Sequence, residues 1–315
     1  MGAAIDAMKR AYAALSSGRA EVPLRTRLPV TPHEAVSLFM PVFLQDEGRE
    51  ALAVKVVSLF PGNAARGLPL IHAAVLVLEA DTGRLLALLE GGTLTAIRTG
   101  AASGAATDLL ARPDSQVAAV FGAGVQGRTQ LEAICSVRPI RTAWIYDTNA
   151  ARAEAFIQEK AGQGFIPGDL RPAATPRQAV VEADIICTAT TSASPVFSDT
   201  DLKPGVHINA VGAYTPDMQE VPAETVRRAR VIVDSRPAAL SEAGDLIQPL
   251  RQGLIGEDHL HTELGEIVLG LRPGRADSNQ VTLFKSVGVA VQDAAAARLA
   301  LENARQFGLG VTVDW

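Results

Sequence analysis

Aromatic residues are scarce in this sequence, at 4% of 315 positions with two tryptophans and three tyrosines, so small and branched aliphatic side chains must fill the core. Cysteine is scarcer still. Cys135 and Cys187 each sit inside an apolar segment, which argues against a disulfide-stapled secreted domain and for two reduced thiols in a cytoplasmic protein. There is no cluster of basic residues. Lys and Arg number 29 against 34 Asp and Glu, and a formal net charge of −5 removes nucleic acid from the candidate partners. No apolar run is long and unbroken enough to span a bilayer, so no membrane partner is expected. The opening segment, MGAAIDAMKRAYAAL, carries charges where a signal peptide has its apolar centre. Metal-ligand spacing is also missing, since His259 and His261 stand two apart with no cysteine nearby.

What is present is a hydrophobic fraction of 48% and a length that suits one large or two ordinary domains. Ile5, Met8, Tyr12 and Leu15 fall at helical spacing ahead of Gly18. Five strand-like segments follow at 24–30, 35–43, 51–59, 72–80 and 84–90, the last two joined by Asp81-Thr82-Gly83. Strands in succession predict an antiparallel sheet. An alanine-rich helix then runs from Thr93, its expected N-cap, to about Leu110. After Arg112-Pro113-Asp114 the grammar changes to short apolar strands alternating with helices, which predicts a parallel α/β sheet. A last alanine-rich helix over 288–307 returns towards the first part. The expected fold is α/β: a Rossmann-type doubly wound sheet, residues 116–298, inserted into a smaller α+β substrate and dimerisation domain of residues 1–115 plus 299–315.

The strand VAAVF runs into Gly122, Gly124 and Gly127, a G-x-G-x-x-G that opens a helix. In that context the first glycine permits the turn, the second lets backbone approach a pyrophosphate, and the third allows helix to pack on strand. Val125 and Gln126 offer free N–H groups at the helix start. The next strand ends in Asp147, placed to accept hydrogen bonds from an adenosine ribose. That favours NAD, since a 2′-phosphate would face a carboxylate; Arg152 nearby softens the rejection and keeps NADP open. Ligands of open parallel sheets lie beyond the carboxyl ends of the strands, so Thr188, Ala189, Thr190, Val211 and Gly212 join the cofactor set.

Three cations occupy odd settings. Lys55 shares a strand face with Ala51, Ala53, Val57 and Leu59; Arg98 sits near the start of the alanine-rich helix; Arg25 is flanked by apolar strand residues. Singly, each reads as a cation snorkelling along apolar neighbours. Together they form a carboxylate pocket. His72 reads either as part of the pocket wall or as a hydrogen-bonded core histidine.

The ordered set PLRT, the strand lysine, TAIRTGAAS, FGAGVQG, INAVGAYTPDMQEV, EAGDL, HTELGEIVLG and FKSVGVAVQD resembles the ornithine cyclodeaminase/mu-crystallin family over essentially the whole chain. In that family a short strand usually precedes the first helix, whereas this sequence opens on the helix. The resemblance implies a homodimeric NAD(P)-dependent enzyme acting on amino acids or cyclic imino acids. It assigns the substrate carboxylate to Arg25, Lys55 and Arg98, and sets Glu242, Asp245 and Lys285 at the nicotinamide half, with Lys285 as a cofactor contact.

One departure directs the reading. Cyclodeaminases and alanine dehydrogenases carry G-x-D-x-P-G-K-x-E in the loop after the INAVG strand, whereas this chain has GAYTPDMQE. Tyr214 stands at the acid–base aspartate and Met218 at the lysine; Asp217 reads as a turn residue. Oxidative deamination needs a carboxylate beside the amine, whereas reducing a readily protonated C=N needs orientation and a hydride. The loop therefore fits a reductase of cyclic ketimines, Δ1-pyrroline-2-carboxylate or Δ1-piperideine-2-carboxylate. Lys55 and Tyr214 are its candidate catalytic side chains, and the tyrosine either donates a proton or shapes the pocket. The alternatives are a cyclodeaminase or amino-acid dehydrogenase using a displaced acid such as Asp217, and a non-catalytic mu-crystallin-like binding protein.

Overall fold

A computed structural model describes residues 1–260 and 262–313. Six strands form the first sheet: β1 (Ala20–Glu21), β2 (Thr26–Val30), β3 (Ala35–Asp46), β4 (Arg49–Leu59), β5 (Ile71–Leu78) and β6 (Leu85–Glu90). All its pairings are antiparallel, as a succession of strands without helices requires. Alternate residues of β3 and β4, among them Met40, Val42, Leu44, Ala51, Ala53 and Lys55, turn inward and are buried.

The helices α1 (Gly2–Ser16), α2 (Gly91–Leu110) and α10 (Ala290–Phe307) cover that inner face. Alanine and glycine along α2 let neighbouring helices approach closely, and most of its residues are buried. Its N-cap is Glu90 and not Thr93. The Glu90 carboxylate accepts hydrogen bonds from Gly92 N and Thr93 N at 2.5 and 2.7 Å, which a threonine two residues inside the helix has no way to do. α10 is one continuous helix, so the return to the first sheet begins before Ala290 rather than at residue 299.

The second sheet has eight parallel strands: β7 (Val117–Phe121), β8 (Thr142–Tyr146), β9 (Asp169–Pro172), β10 (Ile185–Thr188), β11 (His207–Ala210), β12 (Arg230–Val233), β13 (Thr262–Glu263) and β14 (Thr282–Lys285). Its order is β13-β12-β14-β11-β10-β7-β8-β9. From β9 to β14 this is the doubly wound order, with its switch point between β7 and β10. The connecting helices are α3 (Val125–Cys135), α4 (Ala150–Lys160), α5 (Pro176–Val180), α6 (Ala223–Arg228), α7 (Arg236–Glu242), α8 (Gly244–Arg251) and α9 (Leu264–Val268). α2 packs on α3 and so joins the two sheets. Cys135 and Cys187 are buried free thiols, each pushed up to about 12 by burial. Among the described residues no helix is long and apolar enough to cross a membrane.

Candidate active site

The carboxyl ends of β8, β7, β10, β11, β14 and β12 lie side by side and span about 24 Å at the usual strand spacing. Each end carries part of the site. At β7, Gly122 adopts φ +96°, and a Cβ there would stand 2.5 Å from the Ala189 carbonyl. A Cβ on Gly127 would overlap the Gly122 carbonyl, so only glycine lets α3 close on its strand. Gly124 differs, because a Cβ there would meet only Arg152 Nη2, at 3.8 Å. The middle glycine therefore presents bare backbone at the start of α3, the arrangement a dinucleotide pyrophosphate requires, and Val125 beside it is exposed. Asp147 Oδ2 accepts from Ala123 N at 2.8 Å and Oδ1 from Asn149 N at 2.9 Å, which fixes the acid against the glycine loop with Arg152 Nε 4.0 Å away. These residues fit a dinucleotide.

The middle of the row is a buried polar scaffold. Glu220 Oε2 accepts from Thr188 Oγ1, Gly212 N and Ala213 N, and Oε1 from Thr190 N and Thr190 Oγ1, all within 3.1 Å. Burial raises its carboxyl pKa, as does the Asp245 charge, against the pull of Lys285. Asp245 Oδ1 in turn accepts from Glu220 N and Val221 N, and its Oδ2 lies 2.8 Å from Lys285 Nζ. Lys285 and Asp245 are both fully enclosed. The Lys285 side chain, expected as a cofactor contact, is enclosed here and its ammonium faces Asp245. Thr188 is likewise spent on Glu220 and wholly buried, and the Gly212 N–H is committed to the same carboxylate. Ala189, Thr190 and Val211 remain partly accessible at the edge.

The cations gather at the β12 and β14 end. Lys55 Nζ lies 2.7 Å from Asp293 Oδ2, and Arg98 Nε lies 3.1 Å from Asp293 Oδ1. Arg98 Nη1 donates to Gln292 Oε1 at 2.9 Å, and Gln292 Nε2 donates to the Tyr12 hydroxyl at 2.7 Å. Arg25 Nη2 donates to the Gly288 carbonyl at 2.7 Å and sits 2.9 Å from Glu242 Oε2. Gly288 is held by Asp234, whose Oδ2 accepts from Ser286 Oγ, Val287 N and Gly288 N. Burial pulls Lys55 down to about 8; Asp293 opposes that shift, and Arg98 and Arg25 add to it. Lys55 is only 3% exposed, yet it and both arginines keep N–H groups beyond those used in these contacts. A carboxylate can take them.

Arg25, Lys55 and Arg98 are thus brought together as expected, and His72 is not. Lys55 pairs with Val75 across the sheet while His72 pairs with Ser58, so the histidine projects from the opposite face and is exposed. Tyr214 is 37% exposed on the loop after β11 and has no hydrogen-bond partner among the described residues. Asp217 is exposed at the same loop. Asp293 and Gln292 escape a residue-by-residue reading because polar side chains in an alanine-rich helix look solvated; the motif FKSVGVAVQD contains both. Among the described residues no three His, Cys, Asp or Glu side chains group as metal ligands, and His261 lies outside those residues. His259 Nε2 is 2.7 Å from the Val226 carbonyl.

A sequence profile of the ornithine cyclodeaminase/mu-crystallin family matches residues 1–307. The chain belongs to that family. It is 42% identical to a Δ1-pyrroline-2-carboxylate reductase of Bacillus cereus, over 97% of this chain and 94% of the relative. It is 36% identical to the ketimine reductase mu-crystallin of Mus musculus, over 89% and 84%. Among solved structures, the Δ1-pyrroline-2-carboxylate reductase of Thermococcus litoralis, in complex with NADH and L-proline, superposes with a TM-score of 0.93 at 46% identity, covering 98% of this chain and 95% of the other. Family membership and the two-sheet architecture thus agree with the ordered motifs.

Proposed function

We propose that the chain is an NAD(H)-dependent reductase of cyclic ketimines, converting Δ1-pyrroline-2-carboxylate or its six-membered homologue to the cyclic amino acid. The observation that carries the reading is the Lys55–Asp293–Arg98 cluster with Arg25 beside it, set in one row with the glycine loop. Among relatives that share this chain's length are two named as reductases of such imines and a structure holding L-proline with NADH. A nicotinamide dinucleotide bound along the row supplies the hydride. Gly122, Gly124 and Gly127 shape its pyrophosphate cradle, Asp147 favours the ribose of NAD over a 2′-phosphate, and Arg152 borders that cradle.

The chain's own contribution is orientation and charge. Arg25, Lys55 and Arg98 grip the substrate carboxylate, which fixes the imine carbon, and the buried Glu220–Asp245–Lys285 scaffold holds the loop under it. Lys55 is protonated at neutral pH because its pKa lies near 8. Tyr214 occupies the place of the family's acid–base aspartate, with a phenol free to donate. Asp217, exposed on the same loop as Tyr214, is the acid that a displaced-acid cyclodeaminase would need.

The association proposed is a homodimer. Phe39, Pro41, Phe43, Leu52, Val54, Val56, Leu76 and Leu88 share the sheet face turned away from α1 and α10, and none of them is fully buried. A second copy laid on that face removes it from water.

Oxidation of NADH by the purified protein with Δ1-pyrroline-2-carboxylate tests the reaction. Turnover with the imine and negligible ammonia from ornithine with NAD⁺ is expected. Efficient ornithine deamination would refute the assignment.

A further inference from the structure

The cation cluster contains two carboxylates of its own. Asp293 bridges Lys55 and Arg98, while Glu242 holds Arg25. Three cations against two anions leave one positive charge. Arg27 and Asp234, which stand close enough to act on Glu242, cancel each other and leave that balance unchanged. The free volume adjoining the cluster lies on its Arg25 side: a cavity of about 290 Å³ lined by Leu24, Arg25, Met40, Pro237, Glu242 and Val289. Met40 pairs directly with Lys55 across the sheet, so the cavity and the clamp share a wall. Ser235 and Glu263 also line it; Glu263 is engaged by Ser16 Oγ and Arg236 N, and apart from these and the Arg25–Glu242 pair the lining is apolar.

We propose that Glu242 is the charge-selectivity residue of this site, restricting it to imino acids that carry a single carboxylate. The proposal rests on the imino-acid reading above. The physical basis is that one carboxylate neutralises the surplus charge of the clamp, after which any further substituent enters a cavity where the one cation is already paired and Glu242 presents like charge. A second carboxylate then meets repulsion and apolar wall with no counter-charge. Burial raises the Glu242 carboxyl pKa, and the Arg25 charge partly offsets that rise.

Picolinate and dipicolinate are flat ring analogues with one and two carboxylates, and they probe this without turnover. Their dissociation constants are measured by calorimetry on the protein with NAD⁺ bound. For the wild type, the dicarboxylate should bind at least about tenfold more weakly than the monocarboxylate. Glu242→Gln should narrow that ratio to about threefold or less, because the like charge is removed and the Arg25 charge beside the cavity is no longer balanced. Glu242→Asp, which keeps the charge, should preserve the wild-type ratio and guards against a merely structural defect. Equal binding of both ligands by the wild type, no binding of picolinate, or an unchanged ratio in a Glu242→Gln protein that still binds NADH would overturn the proposal. Failure of the wild type to reduce any cyclic imine would instead remove the proposed reaction, while the binding ratio would still decide the role of Glu242.

Discussion

Replacing Asp293 by asparagine keeps the shape of the cluster and removes the charge between Lys55 and Arg98. At 2.7 Å from Lys55 Nζ, that carboxylate attracts the ammonium by about 6 kcal/mol at an effective dielectric of 20. Even a quarter of this, ~1.5 kcal/mol, corresponds to about one pKa unit. Lys55 already titrates near 8 because burial outweighs its partner. In Asp293→Asn it should therefore be largely neutral at pH 7.5, and the clamp loses a cation. The readout is the pH profile of kcat/KM for the cyclic imine, which reports groups of the free enzyme. For the wild type, activity should fall as pH rises through about 8, as Lys55 deprotonates. For Asp293→Asn, that limb should move to lower pH by at least about one unit, with KM rising more than kcat falls.

Unfolding does not mimic this effect. A lysine whose pKa is depressed in the fold binds fewer protons there than in the unfolded chain between about pH 8 and 10.5, so its contribution makes the fold more stable as pH rises through that window. An alkaline limb that stays near 8 in the variant would show that another group controls it and would refute the role given to the pair.

Gly124→Val should abolish NADH binding with little change in Tm, because space is open there, whereas Gly127→Val should lower Tm by colliding with the Gly122 carbonyl; the reverse pattern in binding and melting assays would contradict the cradle. Asp147→Ser should gain use of NADPH, and a wild type that already prefers NADPH severalfold would speak against the acid's assignment. Tyr214→Phe separates donor from wall: a fall in kcat of about 10²-fold or more makes the phenol a proton donor, and a change under about threefold leaves it a wall. Asp245→Asn should destabilise the protein by about 3–5 kcal/mol in denaturant unfolding, since it strands the fully enclosed Lys285. A loss below about 1 kcal/mol would mean that Lys285 is not paired as described.

The parts of the site that follow from local chemistry are legible in the sequence. A glycine turn after an apolar strand has one mechanism, and the structure gives each of Gly122, Gly124 and Gly127 its own reason. A lysine among alanines and valines on a strand face signals a partner elsewhere, and Lys55 has one. What stays hidden depends on partners distant in the chain. Nothing local marks Asp293 as the acid that meets Lys55 and Arg98, 238 and 195 positions away. Lys285 enters the site only through the shared motif FKSVGVAVQD; packing shows its side chain enclosed against Asp245. His72 misleads through strand parity, because one step of register decides which face of the sheet it joins.

The clamp's long-range assembly also bears on synthesis. Arg25, Lys55 and Arg98 leave the ribosome early, while Gly288, Gln292 and Asp293 emerge late, after every strand of the second sheet has been made. Until then Lys55 and Arg98 lack the carboxylate that pairs them, and burying them without it is costly. A chain terminated anywhere between the end of β14 and Ala290 would therefore retain the whole dinucleotide cradle and yet lack the acid that closes the substrate pocket. Such a partial product should hold its cofactor without being able to use it.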